Sequence, residues 1–308
     1  MKVAVIGSPG DGDAILGILE ALEKAGLESY GLKLYDSWIT LSRGQLEAHL
    51  LKATHYLLVA TESNVASLWF AFAGGYGLGR ETGIAIFRDN PRRALPRYLA
   101  ELPVIDTLHE LIAYYEVERK EWTLQENRRS ARAALLEMGI SYHTDALSQC
   151  VAEGDSLAVE LFLQAGFPPD ARDKHGVPLL CLAARNKHRA VAEHLLERGA
   201  SLDLQSEDRG FSPLMDAALA GSVDLVELFL SRGADPDLVS KDSQTALVVA
   251  VGRNDTETVK LLLAFGADPD IVDKLGLSAR RYATLFGKPD IVPLFDSVPP
   301  MRGREAPR

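Results

Sequence analysis

The spacing of apolar positions changes character midway along the chain. "KVAVIG", Lys2 to Gly7, is a β-branched apolar run ending at glycine, which predicts a buried strand meeting a turn. In "GDGDAILGILEALEKAG" the residues Ile15, Leu16, Leu19 and Leu22 fall at helical spacing, with Asp13 as the N-cap and Gly26 beyond the end. Further strands are predicted at Tyr30–Tyr35, Tyr56–Ala60, Thr82–Phe87 and Pro103–Asp106, with helices at Ser42–Ala53 and Asn64–Ala73. Strands alternating with helices predict a parallel sheet covered on both faces. Five short strands place it in the α/β flavodoxin-like class, over residues 1–116. "EVERKEWTLQENRRS" is polar and lacks Gly and Pro, so residues 117–140 read as a connecting helix and an N-terminal cap.

Beyond residue 140 the pattern repeats. Four segments, "LFLQAGFPPDARD", "HLLERGASLDLQS", "LFLSRGADPDLVS" and "LLLAFGADPDIVD", end a helix at Gly166, Gly199, Gly233 and Gly266, at steps of 33, 34 and 33 residues. A second marker, at Gly176, Gly210, Ser243 and Gly276, keeps the same period. Within one unit, Pro178 to Arg185 starts a short helix and Ala190 to Arg198 forms a second, closed by Gly199. "SLDLQSEDRG" then makes a polar turn. No unit buries both helix faces alone, so stability comes from stacking neighbours. About five units fill residues 141–298, and 299–308 read as a disordered tail.

The segments "GVPLLCLAA", "GFSPLMDAA", "SQTALVVAV" and "GLSARRYAT", with the "GADPD" turns, resemble the ankyrin repeat signature "G-x-TPLHLAA…G…VV..LL..GAD.N..D" over about Ala146 to Phe295. The resemblance implies an all-α solenoid that binds a partner protein through its finger loops and first helices. On this sequence those positions are Lys174, His175, Glu207, Asp208, Arg209, Lys241, Asp242 and Lys274, with Arg185, Lys187, Asp216 and Arg253 behind them. The His of TPLH is replaced by Ser148, Cys181, Met215, Val248 and Arg281, which implies less rigid loops. The extra residue in "SEDRG" lengthens one finger, and Arg280 and Arg281 read as a polar C-terminal cap. At the other end "ARAALLEMGISYHT" echoes the helix–Gly half of a unit.

Composition narrows the function classes. The chain of 308 residues carries a net charge of −10, with −3 over residues 1–140 and −7 over the rest. The absence of a concentrated basic face argues against nucleic acid, and "RDNPRRALPR", Arg88 to Arg97, reads as a solvated loop. No apolar run approaches a membrane span, the N-terminus is too short for a signal peptide, and Cys150 and Cys181 are the only cysteines. A cytoplasmic protein without a disulfide framework is expected.

The N-terminal part resembles the Toll/interleukin-1 receptor (TIR) domain family. The motifs, in order, are Ser8 and Asp13 in "VIGSPGDGD", the acidic loop of "LKLYDSW", and "HYLLVATESNVASLWFAF". More distantly it is similar to the nucleoside deoxyribosyltransferases. Enzymes of both groups use a Glu on the helix after the third strand to stabilise charge on the sugar as a glycosidic bond breaks. That place is occupied here by Ala73 in "WFAFAGG", so the resemblance implies an emptied site. "GGYGLG" is expected to end the helix in a turn before strand four. Ser8, Asp36, Trp38 and Trp69 would edge any remaining ligand pocket, and a displaced acid would have to be Glu62 or Glu81.

Other chemistry finds no pattern. "GSPGDG" lacks the spacing of a phosphate cradle, and Asp11 and Asp13 would repel phosphate. No Ser–His–Asp set, "GxSxG" or metal-ligand spacing is present, and His49 and His55 lie six apart. No cofactor or metal is implied. The function expected is a non-catalytic adaptor in signalling, its repeats holding a partner protein and its TIR-like domain self-associating. A glycosidic-bond hydrolase acting on NAD or a nucleoside, or a nucleotide sensor, is the alternative.

Overall fold

The computed structural model describes residues 1–33, 50–61, 68–79, 82–92, 94–99 and 101–296. The chain divides into two compact units, Met1–Glu126 and Asn127 onward.

The first unit is built on a parallel sheet: β1 (Lys2–Gly7), β2 (Glu28–Lys33), β3 (His55–Ala60), β4 (Gly83–Arg88) and β5 (Val104–Ile105), in the order β2-β1-β3-β4-β5. The side chains of β1 alternate between two apolar layers, as the two-residue period of a strand requires. Val3 and Val5 pack with Ile15, Ile18 and Leu22 of α1 (Gly12–Lys24), whereas Ala4 and Ile6 share the opposite layer with Leu58, Ala73 and Leu99. Helix α1 starts one residue before Asp13, after Asp11, and Asp13 is exposed. Its buried stripe is Ile15, Ile18 and Leu22; Leu16, expected in the core, is 58% exposed. Strand β2 begins earlier than its apolar residues suggest because Glu28 pairs with Lys2 in the parallel register. The expected helix at Ser42–Ala53 and the rim residues Asp36 and Trp38 lie largely or wholly outside the described residues.

The glycine cluster corrects the sequence reading. Helix α2 (Leu68–Gly79) runs through "GGYGLG" instead of ending before it. Close packing is the reason. A Cβ on Gly77 would stand 2.6 Å from Ile84 Cδ1 and 2.7 Å from Tyr56 Cδ2, so the absence of a side chain lets the helix lie directly on β3 and β4. Gly74 faces Leu99 and Leu58 with more room: a Cβ there would stand 3.4 and 3.5 Å from their methyl groups.

Helix α3 (Leu108–Glu137) is continuous over 30 residues. Its first turns bury Leu111 and Tyr115 on the sheet, where Glu118 reaches Nε2 of the buried His55 at 3.4 Å.

The second unit stacks five helix pairs among the described residues: α4 (Thr144–Glu153) with α5 (Ser156–Gln164), α6 (Leu179–Arg185) with α7 (Arg189–Glu197), α8 (Pro213–Ala220) with α9 (Val223–Ser231), α10 (Ala246–Arg253) with α11 (Thr256–Ala264), and α12 (Ala279–Leu285) with α13 (Val292–Asp296). First helices contact first helices along the row, and one apolar core runs from Leu135 to Phe295. Hydroxyl side-chain caps start three of the first helices: Ser212, Thr245 and Ser278 accept from the amides of Met215, Val248 and Arg281. At Gly199, φ is +88°, the left-handed turn that its place after α7 demands.

The two ends are covered differently, and at the last pair only Arg281 of the two expected cap arginines is exposed. Arg132 covers the Tyr142 ring at 4.5 Å, and Tyr142 stacks on Phe162 at the first pair. At the last pair, Arg280 turns inward to Asp270 and the Phe295 carbonyl, while Leu275 and Leu285 are 77% and 65% exposed. Arg280 is therefore a structural strut, and the terminal surface keeps apolar groups.

Candidate partner-binding site

Four finger loops join the helix pairs. Each closes with one backbone bond from its first residue, Asp173 N to Val177 O, Ser206 N to Phe211 O, Ser240 N to Gln244 O and Asp273 N to Leu277 O. The second closure spans one residue more, the structural outcome of the insertion in "SEDRG". The tips are stitched together through the backbone: Glu207 N donates to Gly176 O at 3.1 Å, Lys241 N to Arg209 O at 3.1 Å, and Lys274 N to Asp242 O at 3.2 Å.

The loops have a brace other than the missing His. Asp173 Oδ1 accepts from His175 N and Val177 N, and Asp273 Oδ1 accepts from Leu275 N and Leu277 N. Ser206 and Ser240 serve the same place through their hydroxyls. Cys181 puts Sγ within 3.5 Å of Leu204 O and 3.6 Å of Phe211 O, and burial pushes its thiol pKa up. Looseness does not follow from losing the His, because the residue that opens each finger satisfies the turn.

The candidate contacts separate into two groups. Lys174, His175, Glu207, Lys241, Asp242 and Lys274 are exposed at the tips, and Lys187 and Arg253 are exposed at the ends of their helices. Lys241 Nζ reaches Glu207 O, and Lys274 lies 3.6 Å from Asp242. Arg185, Asp208, Arg209 and Asp216 instead face one another. Arg185 holds Asp208 through both terminal nitrogens at 2.8 and 3.0 Å, and Asp216 Oδ2 through Nε at 3.0 Å. Arg209 Nη2 takes the other oxygen of Asp216 at 3.0 Å and lies over Phe211. Asp216 is 1% exposed, so it supports this surface from beneath. Burial pushes its carboxyl up to about 6 against the pull of Arg185 and Arg209; hydrogen bonds from Arg185 hold Asp208 well below the usual range. Spacing alone did not reveal this ring of alternating charges, although an Asp among apolar first-helix positions beside an inserted Arg was its signal.

At the carboxyl rim of the sheet, Asp11 is buried and gathers its neighbours. It accepts from Ser8 N and Ser8 Oγ at 2.7 Å, and from Thr61 Oγ1 at 2.7 Å across to β3. Ser8 thus serves the turn into α1. Ala73 is 2% exposed in the layer between α2 and the sheet. Asp36, Trp38, Glu62 and Glu81 lie outside the described residues, as does the side chain of Trp69. No group of acids, His and Cys that could hold a metal occurs among the described residues.

These features define a stacked array of helix pairs with finger loops, preceded by an α/β unit. The chain belongs to the ankyrin repeat-containing proteins. A family model for ankyrin repeats (3 copies) matches residues 147–240 and 214–296. A putative ankyrin repeat-containing protein of Treponema pallidum (strain Nichols) is 32% identical over 295 residues, 96% of this chain and 99% of that protein. Human 2-5A-dependent ribonuclease is 39% identical over 72 residues, 23% of this chain and 10% of that protein. The human DNA-binding protein RFXANK is 36% identical over 69 residues, 22% of this chain and 26% of that protein.

Proposed function

We propose that the protein is a non-catalytic adaptor whose ankyrin finger face binds a partner protein. The observation that carries this reading is the backbone stitching of the finger tips, which holds exposed charges of both signs in fixed order. A surface ordered before binding loses less entropy on association. The test is a photo-crosslinking residue placed in cells at Lys174, Lys241 or Lys274, and at Glu227 or Lys260 on the second helices. Crosslinks to a discrete protein from the finger positions alone support the reading. Their absence, or equal yield from the second helices, rejects it.

The strand order of the first unit is that of flavodoxin-like sheets and supports a TIR-like domain there, with self-association as its contribution. Hydrolysis of NAD or a nucleoside, or nucleotide sensing, draws no support from the described rim: Ser8 is engaged by Asp11 and Ala73 is packed in the core. Release of free base from NAD or a nucleoside, lost on Glu62→Gln or Glu81→Gln, would replace the adaptor reading with an enzymatic one. No helix among the described residues is long and apolar enough to cross a membrane, and we infer a cytoplasmic site of action from the sequence.

A further inference from the structure

The repeats present the same cell several times, between a first helix and the finger loop that follows it. In the second cell the occupant is Arg185. Its guanidinium bonds Ser206 Oγ at 3.2 Å, Asp208 and Asp216. In the cell of the last finger, the Tyr282 hydroxyl donates to Asp273 Oδ2 at 2.5 Å. The repeat period carries Arg185 back to Ala152, Ser206 to Asp173, Cys181 to Ser148, and both Asp216 and Tyr282 to Leu182. The first cell therefore lacks the arginine, and its walls differ: Asp173 stands for Ser206, and Leu182 stands for Asp216.

The structure shows the consequence. A cavity of about 270 Å³ is lined there by Asp145, Ser148, Ala152, Asp173, Lys174 and Leu182 among others. Ser148 is 8% exposed, and its hydroxyl has no hydrogen-bond partner among the described residues. A buried hydroxyl left unpaired is unfavourable and marks a place where a partner is due. Asp173 uses Oδ1 for the loop amides; its other oxygen corresponds to the one that takes the Tyr282 hydroxyl in the last cell, and Leu182 stands opposite. Two carboxylates, Asp145 and Asp173, outweigh the single cation Lys174. A group that serves the Ser148 hydroxyl and these carboxylates together is a planar, cationic donor on a long stem, the chemistry of Arg185 one repeat further on.

We propose that the cell between α4 and the first finger loop binds a guanidinium group, presented by an arginine side chain of the partner protein. The proposal rests on the reading of the finger face as a protein-binding surface and names the chemistry recognised at its first position. Ser148 Oγ and Asp173 accept from the guanidinium, in place of the Asp208 and Asp216 that accept from Arg185 one repeat further on. The planar fork matches a carboxylate in a way that a lysine ammonium does not.

The test is a nuclear magnetic resonance titration of the full ¹⁵N-labelled chain with N-acetyl-arginine methylamide, its citrulline and lysine counterparts, and free arginine. The arginine amide should produce saturable shifts confined to residues 145–152 and 173–182. The lysine probe should bind about tenfold more weakly, the ratio set by losing one charge-assisted hydrogen bond, and citrulline should give no such shifts. Ala152→Arg should abolish the response by supplying the array's own guanidinium. Ser148→Ala should weaken it and serves as the second variant should Ala152→Arg not fold. Absence of localised shifts, an equal response to citrulline, or a full response in both variants overturns the site. Free arginine binding tenfold tighter than the blocked amide would assign the cell to a small molecule and overturn the partner clause. Crosslinks from Lys241 and Lys274 without an arginine response would reject this site while leaving the finger-face reading intact.

Discussion

Arg185 Nε and Asp216 Oδ2 meet at 3.0 Å across the boundary between two repeats, the arginine on α6 and the buried aspartate on α8. Along the repeats the position of Asp216 is Gln149, Leu182, Val249 and Tyr282, so a carboxylate stands where the others place an uncharged side chain. Its second oxygen is taken by Arg209, in the finger that is one residue longer. The longer finger and the buried acid are thus a matched pair.

That pair sets a pH dependence. Burial disfavours the carboxylate and pushes Asp216 up to about 6 from an ordinary value of 3.8, against the pull of Arg185 and Arg209. The stability this group contributes is therefore fully present below its unfolded value and falls as pH rises toward 6, by on the order of 1–3 kcal/mol. Asp208 acts oppositely: its stabilisation is present above 3.8 and is lost as pH falls through its depressed folded value. Urea unfolding of the native chain and of Asp216→Asn between about pH 4 and pH 7 checks this. The native-minus-variant difference in unfolding free energy should shrink as pH rises over that interval, and a constant difference would reject the assignment.

The glycines of α2 give opposite predictions two residues apart. Gly77→Ala drives a Cβ to within 2.6 Å of Ile84 and 2.7 Å of Tyr56 and should destabilise the first unit by ~1–3 kcal/mol. Gly75→Ala meets no atom within 4 Å and should stabilise the helix by ~0.5–1 kcal/mol. Thermal unfolding of the two variants distinguishes a sheet-packed helix from the turn that the glycine cluster suggests by composition.

Stacking supplies another. Leu262 is fully buried on α11 and Leu228 nearly so on α9. Truncating either to Ala should cost about 2–5 kcal/mol, transmitted to adjacent repeats. A loss below about 1 kcal/mol for both, by urea unfolding, would contradict the packing described.

These results show where sequence was sufficient. The repeat period was legible because Gly166, Gly199, Gly233 and Gly266 must each end a helix within a unit of fixed length. The strands were legible as short β-branched runs, but the course of α2 was not: Gly77 signals a turn locally, and only its distance to Ile84 and Tyr56 shows that it is a packing residue. Likewise Arg185, Asp208 and Asp216 read as separate charges one by one, and it is Arg185 that joins them. Their mutual pairing depends on which loop folds over which helix, a relation between residues more than 20 positions apart.

The matched pair makes the last prediction. Deleting Arg209 shortens the finger to the length of its neighbours and leaves Asp216 Oδ1 buried without its donor, though Arg185 still holds Oδ2, which should destabilise the repeats by ~1–3 kcal/mol. Asp216→Leu supplies the residue type found at position 182, but strands Arg209 above an apolar surface and removes one of the partners of Arg185. Made together, the two changes recreate a finger of ordinary length over an apolar first helix, with Arg185 still held by Asp208. Replacing a buried ion pair by apolar packing is often near neutral, whereas breaking it by one partner is not. The double variant should therefore unfold within about 1 kcal/mol of the native chain, well above the sum of the single losses. Additive losses in a urea-unfolding cycle would show that the extra residue and the buried acid are independent.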